Sequence, residues 1–361
     1  MTDSIPKDPW HQVTLSRDEA TEYLDRIGLP AAQTLQQPPS LDLLARLLQS
    51  QLETIPKDTT PMHVAEQLWQ PGSDPATPIS LTSALDNMPE GILAFDRVIR
   101  QRKGAFCFAV NPTFSAFLRA FGFRVSELVG RTFKNLNNDP VTHPDGFKWG
   151  TFTHGFEVVD WPGSEKRYLV DAAWGPWACP VPIALENGST VIGLNPYEAF
   201  RLVHEQLPLG ADQTQPIDSQ PGWTMYRLVR PDPSTAATPL SLPLPSDKVL
   251  RAQGSFWTPQ FHFHLVSVPL LDYRLYHHFS ASHAVGSFYA FFLVTRLLPG
   301  TGGARRSLMY TDKEGQPRRA KVFTTGGDEA RGSLDSRDVE WVDMQVGPMR
   351  EYLEKEFGFR F

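Results

Sequence analysis

Cysteine is nearly absent from this 361-residue chain, which has only Cys107 and Cys179. Two cysteines cannot build a disulfide framework, and neither stands in a C-x-x-C or Cys/His pattern with metal-ligand spacing. A stapled secreted domain and a zinc ribbon are therefore excluded. Positive charge is not in excess either. With 34 Lys and Arg against 40 Asp and Glu the net charge is -6, which argues against non-specific binding to nucleic acid or to an anionic membrane. Long apolar runs are missing. The most apolar stretch, Phe288 to Leu298, is broken by Arg296 and is shorter than the roughly 20 residues a bilayer requires. Met1 to Pro6 has neither the basic nor the apolar region of a secretory signal, so a reducing, cytoplasmic setting is expected.

What is present is an ordinary globular composition, 41% hydrophobic and 20% charged, with length for about two or three domains. The 32 prolines exceed average usage and point to long ordered loops. Helical patterns fill the first third. Ser16 and Glu19 form a capping-box pair ahead of Tyr23, Leu24 and Ile27, and Gly28 can close that helix. Ser40 caps a second, with Leu41, Leu44, Leu47, Leu48 and Leu52 on one face until Pro56. Residues 62–70 make a weaker helix, 71–82 a loop, and Ile92, Phe95, Val98 and Ile99 another amphipathic stretch. These read as a small helical bundle. From residue 123 the chain turns to β-rich runs, 123–125, 153–159 and 168–172, which fit antiparallel strands around a barrel or sandwich. Proline-rich stretches at 208–222 and 231–245 read as loop or linker. Strands near 263–268 and 288–296, a turn at 299–303, strands flanking 312–316 and a helix over 342–357 complete the pattern.

Cys107 lies in Arg102-Lys103-Gly104-Ala105-Phe106-Cys107-Phe108-Ala109-Val110-Asn111, behind a glycine-containing turn and ahead of Phe114, Phe117, Leu118 and Phe121 at helical spacing. A thiol there can be a nucleophile or a small core residue. As a nucleophile it needs a base, and the base needs an orienting carboxylate or amide. His154 starts one β-rich run and Asp171 ends the next. Strands joined by Trp161-Pro162-Gly163-Ser164 lie antiparallel, which sets the start of one beside the end of the other. A Cys-His-Asp triad is the sharper reading, and a strand histidine with a satisfied hydrogen bond the plainer one. The helix start has two readings. Asn111-Pro112 can be N-cap and first helical residue, or the helix can begin at Cys107 and kink at Pro112. His262 and His264 alternate on a strand without a third ligand, so no metal is expected. Arg305, Arg306, Arg318, Arg319 and Lys321 form a basic hairpin that reads as solvated surface, with phosphate contact as the alternative.

The order of these residues and their contexts, R-K-G-A-F-C-F-A-V-N, T-F-T-H-G-F and Y-L-V-D-A-A-W-G, resemble the arylamine N-acetyltransferase family. Gln51-Leu52-Glu53-Thr54-Ile55-Pro56 occupies the place of that family's helix ending in I-P-F-E-N. Asp272 to Phe288, with His277, Ser280, Ser282 and His283, resembles its D-F-x-x-x-N-x-x-x-S-T-x-P-x-S-x-F stretch. The resemblance implies an α+β fold: a helical bundle over 1–122, an antiparallel β-barrel over 123–207, linker and insertions over 208–246, and an α/β lid over 247–361. It implies ping-pong transfer of an acetyl group from acetyl-CoA to an arylamine, hydroxylamine or hydrazine. Cys107 would carry the acyl group, His154 would be the base and Asp171 its orienter. Lys148, Gly150 and Thr151 would meet the CoA phosphates, and Phe106, Trp174 and Lys57 would line the substrate pocket. The proline-rich insertions are similar to those of fungal members.

Several positions depart from the family pattern. Lys103-Gly104-Ala105 stands where Arg-Gly-Gly is usual, Ala109 replaces a glutamate, and Lys57-Asp58 replaces Phe-Glu. Trp174 narrows the acceptor wall, and Lys57 near the acyl group would favour a carboxylated donor such as malonyl-CoA. A cysteine hydrolase or transglutaminase-like enzyme with the same triad, and a catalytically silent binding protein on the same fold, are the alternatives from other classes.

Overall fold

The computed structural model describes residues 12–63, 68, 70–79, 94–210, 213–214, 219–232, 236, 238–282, 291–311, 317–327 and 336–361. Helix α1 spans Arg17–Arg26 and starts on the expected capping box, the Ser16 hydroxyl accepting from Glu19 N at 3.2 Å. After the short α2 (Ala31–Thr34), α3 (Leu41–Thr54) starts at Ser40 and buries Leu43, Leu44, Leu47, Leu48 and Leu52. Each such side chain contributes roughly 1.5–3 kcal/mol of burial. Tyr23 of α1 stacks on Phe117 of α5 (Cys107–Arg119) at 3.9 Å and donates to Gln51 Oε1 of α3 at 2.7 Å. Of the expected helix over 62–70, α4 (Thr60–His63) covers the beginning, and residues 64–67 and 69 lie outside the described residues. The amphipathic stretch ends in a π-helical turn, Asp96–Arg100, with Val98 and Ile99 buried; Ile92 lies outside the described residues.

The β-rich middle is an eight-stranded antiparallel sheet that curls like a barrel, in the order β5-β4-β3-β2-β9-β8-β7-β6. Its strands are β2 (Arg124–Phe133), β3 (Trp149–Asp160), β4 (Tyr168–Val170), β5 (Ile183–Ala184), β6 (Thr190–Ile192), β7 (Ala199–Glu205), β8 (Gly222–Val229) and β9 (Phe256–Phe263). The sheet thus continues past residue 207. Gly222–Val229 is an interior strand rather than part of a linker over 208–246, and β9 comes from the stretch assigned to the lid. Proline-rich flanks hide β8 in the sequence. Strand β9 ends at Phe263, where a strand was expected to begin; Pro259 pairs with Tyr226 inside it, and Gln260, between the Pro259 and Phe261 pairs, is the bulge residue.

A second sheet has the order β1-β10-β11-β12-β13, formed by Lys57–Asp58, Phe291–Leu297, Arg305–Thr311, Arg319–Thr325 and Arg337–Asp343. Of the remaining helices, α6 is Asp247–Ala252, α7 is Leu270–Ser282, and α8 (Val346–Phe357) packs Val346, Met349, Leu353 and Phe357 on Phe292, Val294, Leu308 and Val322 of this sheet. The basic hairpin is a solvated surface only in part: Arg318 and Arg319 are exposed, but Arg305 and Arg306 are not. Arg305 is buried against Glu198 at 2.9 Å, and buried Arg306 meets Glu340 and donates to the Tyr352 hydroxyl at 2.7 Å. Strand β1 is only two residues long, yet it joins three parts of the molecule. It pairs antiparallel with Val294 and Thr295 of β10, while Lys57 bridges Ala105, two residues before Cys107. Among the described residues, no helix is long and apolar enough to cross a membrane.

Candidate active site

The helix carrying the thiol begins at Cys107 itself, with Phe106 as an extended N-cap. Pro112 lies inside the helix and supplies no N–H to the Phe108 carbonyl, yet the turn holds, Thr113 Oγ1 donating to Ala109 O at 2.7 Å. Asn111 is therefore not a cap. Its amide bonds the Gly155 carbonyl, lies 3.4 Å from Asp171 Oδ1, and accepts from Ala172 N at 2.9 Å. Because Cys107 is the first helical residue, the positive end of α5 lies at the sulfur.

The turn before the cysteine is fixed from outside. Arg97 Nε donates to Gly104 O at 2.8 Å and its Nη2 pairs with buried Asp58 at 3.0 Å, while Asp58 N donates to Ala105 O at 2.9 Å. Gly104 has no room for a side chain. A Cβ there would lie 2.5 Å from both Asp58 Cβ and the Pro56 carbonyl.

Strands β3 and β4 bring Asp171 to His154. Their register pairs Glu157 with Val170 and Val159 with Tyr168, so Asp171, just past β4, reaches His154: Nε2 to Oδ2 is 2.6 Å. Asp171 Oδ1 also accepts from Ala173 N at 3.0 Å. The Cys107 thiol faces the Thr153 carbonyl at 3.9 Å, one residue from His154. All three side chains are buried. Trp174 at 4.5 Å and Phe261 at 5.1 Å hold the imidazole between rings. Trp174 is held in turn by Gln260 of the β9 bulge, which accepts from its indole N–H at 2.8 Å.

Burial pushes the Cys107 thiol up to about 12, against Lys57 and the N–H groups of Gly155 and Phe108, which favour the thiolate. Burial also lowers the His154 value, while Asp171 pulls it upward. Desolvation thus favours the neutral pair, Asp171 favours the imidazolium, and Lys57 favours the thiolate.

A cavity of about 490 Å³ opens at His154, while Cys107 and Asp171 lie behind its wall and do not line it. Its walls come from the barrel (Thr132, Lys134, Thr153, His154), from Trp174 and Trp177 after Asp171, and from Leu293, Met309 and Phe323 of the second sheet. A largely apolar cavity with a histidine in its wall and a buried thiol behind it has the composition to receive a ring-bearing ligand.

Residues 93–329, more than half of the chain, match the N-acetyltransferase family model. The chain belongs to the arylamine N-acetyltransferase family. An arylamine N-acetyltransferase of Mycobacterium bovis is 28% identical over 184 residues, 51% of this chain and 54% of the relative. One from Escherichia coli K12 is 28% identical over 204 residues, 53% of this chain and 62% of the relative. The chain thus spans between half and two thirds of these curated relatives. Among solved structures, the Mycobacterium marinum arylamine N-acetyltransferase in complex with CoA aligns with a TM-score of 0.57 at 21% identity, covering 94% of this chain and 92% of that one. The Bacillus cereus arylamine N-acetyltransferase, described with a Cys-His-Glu triad, aligns at 0.59 with 14% identity, covering 95% and 99%. Both likenesses show the arylamine N-acetyltransferase fold.

Within that fold, the residues expected from sequence divide into two sets. Lys57 and Trp174 line the cavity. Phe106 does not; it is buried under α7, edge-on to His277 and Phe108, each at 5.4 Å. Lys148, Gly150 and Thr151 do not line it either. Lys148 is exposed beside Asp145 at 3.4 Å, and Gly150 underlies Lys134, which does line the cavity. A Cβ on Gly150 would come 2.7 Å from Lys134 Cε. Lys134 escaped the sequence reading, although it directly follows the strand antiparallel to the histidine's own. His262 is engaged by Thr224 at 2.9 Å, and no cluster of three or more metal-ligating residues occurs among the described residues.

Glu157, also missed, is buried directly opposite Glu127 in the β2–β3 register. Its Oε1 accepts from Ser115 at 3.3 Å, and its Oε2 has no partner among the described residues. Burial first, then Asp171 and Glu127, raises its pKa well above the usual carboxyl range. The folded state then holds a proton that the unfolded chain releases above the ordinary glutamate value, so stability falls as pH rises from there, by up to about 1.4 kcal/mol per pH unit for one proton. Glu157→Gln removes that slope. Its stability relative to wild type is expected to rise between pH 5 and pH 8 in urea titrations; a pH-independent difference would mean Glu157 is ionised throughout.

Proposed function

We propose that the chain transfers an acyl group, acetyl in the first instance, from acyl-CoA to an aromatic amine, hydroxylamine or hydrazine through an acyl thioester on Cys107. The observation that carries this reading is the buried Cys107 at the start of α5, its thiol 3.9 Å from the carbonyl of the residue before His154, together with a His154–Asp171 pair 2.6 Å apart whose histidine lines a cavity. In the first half-reaction Cys107 Sγ attacks the thioester carbonyl and its proton passes to His154. The tetrahedral intermediate collapses, the C–S bond to CoA breaks, and the departing thiolate takes the proton. In the second, the amine nitrogen attacks the acyl-cysteine, His154 takes an amine proton, and the Cys107 thiol is restored as the amide leaves. Asp171 keeps the imidazole oriented and stabilises its charge. The backbone N–H groups of Phe108 and Gly155, which already favour the Cys107 thiolate, are the donors suited to the developing oxyanion.

Lys134 takes over from Lys148 as the cation suited to the CoA phosphates, because it lines the cavity and Lys148 does not. Malonyl-CoA is the second reading for the donor, favoured by the buried cation Lys57 in the same wall. Intact-mass measurement after mixing with acetyl-CoA or malonyl-CoA tests both. An adduct on Cys107 that an aniline discharges is expected. Rapid labelling of Cys107 by a thiol reagent without any acyl-CoA adduct would favour the hydrolase reading.

A further inference from the structure

Helix α5 carries the thiol and strand β3 carries the base, so whatever fixes one against the other bears on the chemistry. Four residues advance a helix by about 6 Å and return it to nearly the same face, while two residues advance a strand by about 6.6 Å. The two elements keep step, and the polar contacts between them fall at that interval. The Cys107 thiol faces the Thr153 carbonyl at 3.9 Å, the Asn111 amide bonds the Gly155 carbonyl, and the Ser115 hydroxyl donates to Glu157 Oε1 at 3.3 Å. One turn further, Arg119 pairs at 2.5 Å with Glu127, which lies directly opposite Glu157 on β2.

The rung between Ser115 and Glu157 stands in an apolar setting. Both residues are fully buried, and Val170, opposite Glu157 on β4, and Val159, next on the same face of β3, belong to the hydrophobic core. The titratable and charged groups that face Glu157 come from five places: Glu127 on β2, Arg119 on α5, Asp171 after β4, Tyr23 on α1 and Tyr273 on α7. Arg119 is engaged by Glu127, and two carboxylates directly opposite one another in a sheet repel. Glu157 therefore stands as the neutral acid of the pair. A buried polar contact of this kind adds little stability over a well-packed leucine, but it is satisfied in one register only.

We propose that Glu157 is a positioning residue of the transfer reaction: through Ser115 it locks the helix of the nucleophile to the strand of the base, in the register that sets the thiol against Thr153. The inference rests on the acyl-transfer reading. An apolar side chain at this position would let α5 slide or tilt on β3, and the displacement would appear at Cys107, two turns away on the same helix. Glu157 touches no substrate, and its proton takes no part in the reaction.

Single-turnover acylation of Cys107 by acetyl-CoA tests this in three variants. Glu157→Leu is expected to slow acylation at saturating acetyl-CoA roughly tenfold or more, with the half-saturating concentration unchanged, because the thiol is displaced and the cavity is not. Glu157→Gln, neutral and still able to accept from Ser115, should restore a rate near that of wild type. Ser115→Ala breaks the same contact from the helix side and carries the test if the leucine variant does not fold. Infrared difference spectra between wild type and Glu157→Gln at pH 7 read the proton: the C=O band of an un-ionised carboxyl is expected in wild type alone. A folded Leu or Ala variant that acylates at the wild-type rate overturns the proposal. So does an equal loss in Glu157→Leu and Glu157→Gln, or a difference spectrum with carboxylate bands only. Failure of acyl transfer itself looks different, since no acyl-CoA would then modify wild-type Cys107. Alkylation of Cys107 by iodoacetamide becomes the readout in that case: slower in Glu157→Leu and restored in Glu157→Gln supports the proposal, and equal rates overturn it.

Discussion

Cys107→Ala is expected to abolish acyl transfer, with no adduct from any acyl-CoA and a loss of at least about 10³-fold in amide formation. The side chain is fully buried and small, so its removal leaves a cavity too slight to unfold the chain. Cys179 cannot replace it. That thiol sits in a different core cluster and donates to the Val181 carbonyl at 3.2 Å, away from His154 and Asp171. Intact mass with acetyl-CoA reads the result directly. An adduct on the variant at the wild-type rate would place the nucleophile elsewhere.

Asp171→Asn is expected to keep the fold and lower kcat by about 10³–10⁴-fold. The reason is hydrogen-bond bookkeeping around one carboxylate. Its Oδ1 accepts from Ala173 N, with Asn111 Nδ2 close by, so an asparagine must keep its carbonyl there. Its NH₂ then faces His154 Nε2, which must give up its proton. The imidazole is left with its hydrogen on Nδ1, the wrong tautomer for a base that is to receive one. Single-turnover acylation checks this, with far-UV circular dichroism confirming the fold. Transfer at close to the wild-type rate would remove Asp171 from the mechanism.

The pairing of His154 with Asp171 was legible in sequence because a hairpin is a short-range object: the Trp161–Ser164 turn and the period of two set one beside the other. The start of α5 was not. Asn111-Pro112 has the look of a cap, but the asparagine amide bonds Gly155 and Ala172, contacts made across two other elements that no local pattern reveals. Strands β8 and β9 were obscured by prolines that lie in their flanks or beside a bulge. Lys57 was identified as a pocket residue, but its burial depends on Trp174, 117 positions away, and on β10, well over two hundred positions away. Arg305 and Arg306 read as surface charges for a similar reason, since Glu198 and Glu340 reach them from distant strands.

Strand β1 also sets an order of events during synthesis. Its partners on either side, Ala105 and Val294–Thr295, emerge from the ribosome far apart in time. A nascent chain holding the helices and the barrel strands has Cys107, His154 and Asp171 in hand, but Lys57 and Asp58 still lack their β10 partners. Contacts of such long sequence separation form late and slowly. The Cys107 thiol is therefore made early and its surroundings are completed late, so the barrel can assemble before the wall beside Cys107 is complete.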